Sequence, residues 1–270
     1  MIPKIIHYCW FGRNPKPHLV QKCVESWRKF CPDYEIKEWN EDNFDYSQCQ
    51  YAAEAYRERK WGFVSDFVRL KVIYDFGGIY VDTDVELLKT LDSLLDEKAV
   101  LGFENDSEVN TGLIIMSEAK NTIIKAMYEI YYDKKFYNVD GTLNLISCPK
   151  YNTQVLAGFG LQQNNTKQTI TDGKSQITVF PTEYFCPMDF ESGQLTISGN
   201  TYAIHHYSAS WTSEAQKDYD TKRKTYYKRY GRSIGKFLSL FAFIEWQIKD
   251  NGFKGFCRKI LRKLNRTRGI

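Results

Sequence analysis

A chain of 270 residues, 43% hydrophobic and 16% aromatic, has the length and apolar content to bury a core, which excludes a disordered or low-complexity protein. Its formal charge of +4 is too small to argue for nucleic acid. Seven scattered cysteines without a CxxC pair, and only four histidines, speak against a structural zinc site and for reduced thiols in a cytosolic protein.

In chain order, PKIIHYCWFG (3–12) reads as a first strand, followed by a turn at Gly12, Asn14, Pro15 and Pro17. The start lacks the pattern of a signal peptide, and no run reaches the roughly 20 apolar residues of a membrane span. Val20, Cys23, Val24, Trp27 and Phe30 recur at helical spacing, so 18–31 is a predicted helix that Pro32 ends. YEIKEWN (34–40) alternates like a strand, and YAAEAYRERK (51–60) reads as a helix. Ser65 is the expected N-cap of a helix from Asp66 to about Phe76, closed by Gly77-Gly78. Ile79, Tyr80 and Val81 then form a buried strand end.

AVLGFE (99–104) and NTGLIIMSE (110–118) continue the strands, and NTIIKAMYEIYYDKK (121–135) the helices. Between 139 and 204 the pattern weakens into short strands and polar turns. Alternation of strand and helix predicts an α/β domain with a largely parallel sheet over 1–211, and a helical, basic, aromatic tail over 212–270.

Asp82 and Asp84 follow the apolar strand end at once, and two like charges there resist desolvation. Ligands of open α/β sheets bind beyond the carboxyl ends of strands, so a divalent cation and a diphosphate would offset that charge. A solvated turn is the plain alternative. Asp66 and Arg69 share a helix face at i, i+3, as a site pair or as a surface ion pair. Trp10, at the end of the first strand, offers an indole for base stacking or for packing under the next loop. Asn110 and Gly112 combine an amide that can bond hydroxyls with a bare-backbone turn. In YAIHHYSASWT (202–212), adjacent His205 and His206 point to opposite faces of a strand, so one at most reaches a shared metal. His7 reads as a core histidine with its bonds satisfied.

Taken in order, IPKIIHYCWFG, SDFVRLKVIYDFGGIYVDTDV, NTGLIIM and HHYSASW resemble the sugar-nucleotide-dependent glycosyltransferases with a DXD sugar-binding region. More narrowly, the chain is similar to glycosyltransferase family 32, with its capsular-polysaccharide and lipooligosaccharide enzymes, and to the catalytic domain of the large clostridial glucosylating toxins. The resemblance covers about 1–118 and 200–212. It implies a GT-A fold (Rossmann-like, nucleotide-binding), Mn²⁺ or Mg²⁺, and a retaining hexosyl transfer. By the same resemblance, Trp10 would stack on the donor base, and Asp66 and Arg69 would contact sugar and diphosphate. Asp82 would reach ribose and sugar hydroxyls and share in metal binding, and Asp84 would ligate the metal. His206 would be a third ligand, Ser210 and Trp211 would bind the phosphates, and Asn110 would join Asp82, Asp84 and Arg69 in the catalytic set.

The implied partners are a nucleotide-sugar donor, a UDP-sugar ahead of GDP-mannose, and a glycan or lipid-linked oligosaccharide acceptor in surface-polysaccharide synthesis. The basic and apolar segment 249–270 adds an anionic membrane surface as an expected partner, and nucleic acid is not expected. The expected location is the cytoplasm, at the inner face of a bacterial plasma membrane. Two rivals stand beside this reading. YVDTDVEL also fits the motif of haloacid-dehalogenase-like phosphatases with Asp82 as nucleophile, although some 80 residues precede it where that family opens on the motif. The other is a sugar-nucleotide-binding module without catalysis.

Overall fold

The computed structural model describes residues 1–208 and 213–267, with side chains as far as 250 and at 252, 253 and 255. It divides into two compact units, one of residues 1–187 and 196–206 and a second of 188–195 and 207–270.

The strands of the first unit are β1 (Ile5–Cys9), β2 (Glu35–Trp39), β3 (Gly78–Tyr80), β4 (Val85–Leu87), β5 (Ala99–Gly102), β6 (Ile115–Ser117), β7 (Gln168–Thr171), β8 (Gln176–Phe180) and β9 (Ala203–His205). Its helices are α1 (His18–Phe30), α2 (Gln50–Arg57), α3 (Trp61–Phe76), α4 (Thr122–Glu129), α5 (Cys148–Ala157) and the short α6 (Thr182–Phe185). Seven strands form one sheet in the order β2-β1-β3-β6-β5-β8-β7, and β4 pairs with β9 in a second, two-stranded sheet.

Within the large sheet β1 is parallel to both β2 and β3, and β5 is parallel to β8. β6 runs against β3 and β5, and β7 against β8, so β1, β2, β3, β5 and β8 share one direction. This is the expected α/β sheet with a largely parallel arrangement, with one correction. β6 is an antiparallel insert at its centre, and no local pattern in the triplet Ile115–Ser117 announces that direction. A second correction is α5, an unanticipated helix that begins at Cys148-Pro149, a proline in the first turn where no N–H is missed.

Helix α3 is buried nearly all round, with Phe63, Val64, Phe67, Val68, Leu70, Val72 and Ile73 in the core. Such a helix crosses a core instead of lining a surface. It starts at Trp61, not Asp66, and Lys60 at its N-cap makes no side-chain bond. Ser65 lies inside the helix, where its hydroxyl donates to the Gly62 carbonyl at 2.7 Å. The expected closure holds, because Gly77 and Gly78 both adopt positive φ. A Cβ at Gly77 would lie 2.8 Å from the Ala119 nitrogen, and one at Gly78 would lie 2.8 Å from the Ile5 carbonyl oxygen. Only glycine lets α3 turn straight into β3 beside β1.

His7 fastens the same corner and is the satisfied core histidine its strand position suggests. The Trp39 indole N–H donates to Nδ1 at 3.0 Å, so Nε2 carries the proton and meets the Gly77 carbonyl at 3.0 Å. Burial lowers its pKa to about 4, with the bond to Gly77 opposing. The unfolded chain therefore takes up a proton near pH 6.5 that the folded chain refuses, and stability falls as pH drops from about 6.5 to about 4. The contribution is about 3 kcal/mol. Melting curves of wild type and His7→Gln at pH 7.5 and pH 4.5 test this: the wild-type advantage should shrink at the lower pH. An advantage unchanged by pH would remove His7 from the acid response.

Candidate functional site

The register of the large sheet gathers the site. Ile6 pairs with Ile79 and His7 with Tyr80, so the chain leaves β1 toward Trp10 at the edge where it leaves β3 toward Asp82. Because β6 is antiparallel, with Tyr80 opposite Ile115, the loop entering β6 arrives at that edge too. The Asp82 N–H donates to the Gly112 carbonyl at 2.9 Å. β5 runs in the same sense as β3, and Glu104 emerges just beyond its end. Four segments distant in sequence thus meet where ligands of α/β sheets bind.

The positive charge that Asp82 needs is Arg69. Its Nη2 lies 3.2 Å from Asp82 Oδ1 and 3.1 Å from Asp66 Oδ1. The surface ion pair is excluded, since Arg69 is 3% exposed and Asp66 6%. The guanidinium is held on every side: Nε donates to the Ser65 carbonyl at 3.1 Å, Nη2 to the Ser65 hydroxyl at 3.0 Å, and Nη1 reaches Cys148 Sγ at 3.7 Å. The Tyr80 ring lies beneath it at 5.2 Å, and the Tyr80 hydroxyl donates to Asp82 Oδ1 at 2.8 Å.

Burial dominates the protonation of this cluster. It pushes Asp66 up to about 6, with Arg69 opposing and Asp82 adding to the rise. Asp82 is raised for the same reason, again against Arg69. Burial works against the charge of Arg69, yet the neighbouring Asp82 and Tyr80 keep its pKa well above the ordinary value. One cation, Arg69, therefore serves the buried Asp66 and the partly exposed Asp82, with the buried Asp84 and its partner His205 close by. Such a set is short of positive charge, which is the condition of a site that receives a cation.

Asn110 braces the loop at Asp82. Its Oδ1 accepts from the Gly112 N–H at 2.7 Å and from Cys148 Sγ at 3.5 Å, while Nδ2 donates to Glu104 Oε1 at 2.9 Å. The expected hydroxyl-binding amide is thus bonded within the protein. Gly112 is required by crowding, because a Cβ there would stand 2.2 Å from Asp82 Oδ2. Helix α5 holds the loop from outside: Asn152 Nδ2 donates to the Thr111 hydroxyl, and the Val109 N–H donates to that of Thr153.

The second sheet settles the histidines. Val85 pairs with His205 across β4 and β9, and the His206 N–H donates to the Asp84 carbonyl at 3.0 Å. His205 is buried with Nε2 3.4 Å from Asp84 Oδ1. His206 turns away, its Nε2 2.8 Å from Glu86 Oε2, which Lys22 also pairs. His206 is therefore not placed as a partner of Asp84, and His205 is. Strand alternation decides which of two adjacent side chains turns inward, and the register decides the phase.

Trp10 reaches the same edge, partly buried, with its indole N–H donating to the Asn14 carbonyl at 2.7 Å and Lys16 Nζ 5.9 Å from the ring. Ser210 and Trp211 lie outside the described residues. Glu104 and Cys148 were not anticipated. Burial raises Glu104, and His205 opposes that rise. Its position after a strand at the ligand edge, the same signal that marks Asp82, could have found it. Cys148 comes from the segment without a recognisable pattern.

Among the described residues no three of His, Cys, Asp and Glu are grouped to hold a metal ion. The donors present still suit one: an Asp84 carboxylate beside the His205 imidazole leaves positions for diphosphate oxygens and water. Mg²⁺-type sites are commonly built so, from one or two carboxylates and substrate phosphates.

Comparison with known proteins fits this geometry. Residues 17–101 match the family model described as a glycosyltransferase sugar-binding region containing a DXD motif. Asp82 and Asp84 lie within the matched stretch and stand as its DXD. A stretch of 102 residues is 33% identical to inositol phosphoceramide mannosyltransferase 3 of Schizosaccharomyces pombe, covering 35% of this chain and 27% of that protein. The chain thus spans about a quarter of that relative. Among solved structures it is similar to the PaToxG glycosyltransferase, with 20% identity, a TM-score of 0.44, and 58% of this chain and 68% of that one covered. A glycosyltransferase involved in glycosylation of the major capsid of PBCV-1 has 13% identity and a TM-score of 0.44, with 81% and 98% covered.

Proposed function

We propose that the protein is a metal-dependent, retaining hexosyltransferase that moves a sugar from a nucleotide-sugar donor to a glycan or lipid-linked oligosaccharide acceptor. The observation that carries this is the Asp66–Arg69–Asp82 cluster of the DXD region, buried at Asp66 and Arg69 and open at Asp82, beside Asp84 and His205 at the ligand edge of the sheet. Asp84 and His205 would hold Mn²⁺ or Mg²⁺. When bound, the cation supplies Lewis-acid charge for the departing diphosphate.

Each remaining role belongs to the chain. Arg69 is saturated by its two carboxylates, so it acts by holding Asp82 ionised in one orientation. Asp82, tied at Oδ1 by Tyr80 and Arg69, presents its other oxygen to donor hydroxyls. Trp10 provides the indole for the base. This preorganisation aims fixed charge at the reacting sugar, and it exists before the donor arrives.

A UDP-sugar is the preferred donor. GDP-mannose stays in the test because a matched relative is named a mannosyltransferase. Surface-polysaccharide synthesis at the inner face of a bacterial membrane is the matching setting. The experiment is a panel of UDP-, GDP- and CMP-sugars with Mn²⁺, Mg²⁺ or EDTA, scored for released nucleotide. Metal-dependent release of UDP from one UDP-sugar is expected. Release of GDP alone would replace the donor and keep the mechanism. Phosphate release from simple monoesters without use of any nucleotide sugar would favour the phosphatase reading.

A further inference from the structure

The second unit carries a helix pair that is apolar on its outside. The helical segment Glu214–Thr267, α7, is interrupted by non-helical backbone at Gly231 and Gly252. Its first two stretches, 214–230 and 232–251, fold back on each other at Gly231. Tyr219 stacks on Trp246 at 5.2 Å, Lys222 pairs with Glu245 at 2.8 Å, and the Ser213 hydroxyl meets Asp250 at 2.8 Å. Near the tip the backbones approach closely, since a Cβ on Gly235 would lie 2.8 Å from the Tyr227 Cα.

On the second stretch the side facing the first carries Gly235, Ser239 and Ala242 toward the tip and Trp246 further along. The opposite side shows Ile234, Phe237, Leu240 and Phe241, each 54% to 61% exposed. Ile234, Phe237, Phe241, Ile244 and Ile248 recur at alternating steps of three and four, a continuous helical stripe. Near the tip, small and polar residues inside with large apolar ones outside invert the order expected of a water-facing helix.

Charge identifies what covers it. Between Asp220 and Glu245 the chain has no acidic residue, and Lys228, Arg229, Arg232 and Lys236 are exposed around the tip. None of these four forms an ion pair among the described residues. Two copies meeting along this stripe would bring like charges together, whereas an anionic bilayer neutralises them, at about 1 kcal/mol per cation near the surface. We propose that the 228–243 tip of this hairpin is a docking surface for anionic lipid bilayers, with Phe237 and Phe241 seated at the headgroup boundary. It precedes the 249–270 segment in the chain, and it stands independently of the donor site.

The test is co-sedimentation of the full chain with vesicles of phosphatidylcholine alone or with added phosphatidylglycerol. Binding to the anionic vesicles, weakened by salt, is expected. It should be at least about 10-fold weaker in a Phe237→Ser, Phe241→Ser variant, from the lost apolar burial. A Lys228→Glu, Arg229→Glu variant, altered only at exposed positions, should lose binding as well and guards against misfolding of the first. Nucleotide-induced thermal shifts should be the same in all three proteins, which separates failure here from failure of the donor site. Absence of vesicle binding, equal binding to both vesicle types, or an unchanged Phe pair variant would overturn the proposal. So would a dimer that the Phe pair variant splits without any vesicle binding.

Discussion

Asp84→Asn should lower kcat/KM for the donor by about 10³-fold, or about 4 kcal/mol of transition-state stabilisation, while leaving a folded protein. Asn keeps the volume and one acceptor oxygen, but it removes the anionic charge a hard cation requires. The backbone carbonyl of Asp84 still accepts from His206, so the junction of the two strands persists. The melting temperature without nucleotide should therefore move by only a few degrees, while activity no longer responds to added Mn²⁺. Wild-type kcat/KM in the folded variant would remove Asp84 from metal binding.

Gly112→Ala should be nearly as damaging although it changes no charge. The new methyl would stand 2.2 Å from Asp82 Oδ2, 2.9 Å from Arg69 Nη1 and 3.0 Å from Asn110 Oδ1. None of the three can step aside freely. Asp82 is tied to Tyr80 and Arg69, Arg69 to Ser65 and Asp66, and Asn110 to Glu104. Relief must come from moving the Asp82 carboxylate or the loop. Displacement of a reacting group by about 1 Å can cost about 10²-fold in rate, and overpacking costs about 1–3 kcal/mol of stability. Kinetics and melting of Gly112→Ala measure both. Activity within a few-fold of wild type would show that Asp82 need not be held where it lies.

The core of the site was legible because its signals are local. Gly77-Gly78, the strand end at Val81 and the Asp pair lie within a few residues, and the i, i+3 spacing alone puts Asp66 and Arg69 on one face. Burial of that face was not legible, since it depends on α3 being covered by elements far away in sequence. The helix start was misplaced for a physical reason: Ser65 looks like a cap, but its hydroxyl is used by the Gly62 carbonyl within the helix. Adjacent His205 and His206 could be assigned to opposite faces but not to the right ones, because a strand register one residue different exchanges them. Glu104 and Cys148 enter through the ends of β5 and α5, and nothing near either residue names its neighbour.

Whether these carboxylates form a metal–diphosphate site is read by calorimetric binding of UDP and GDP with and without Mn²⁺, in wild type and Asp84→Asn. Mn²⁺ should strengthen binding of one nucleotide, UDP first, by at least about 10-fold, and this coupling should vanish in the variant. Nucleotide binding that is equally tight without metal, or a coupling that survives in Asp84→Asn, would contradict the metal–diphosphate assignment.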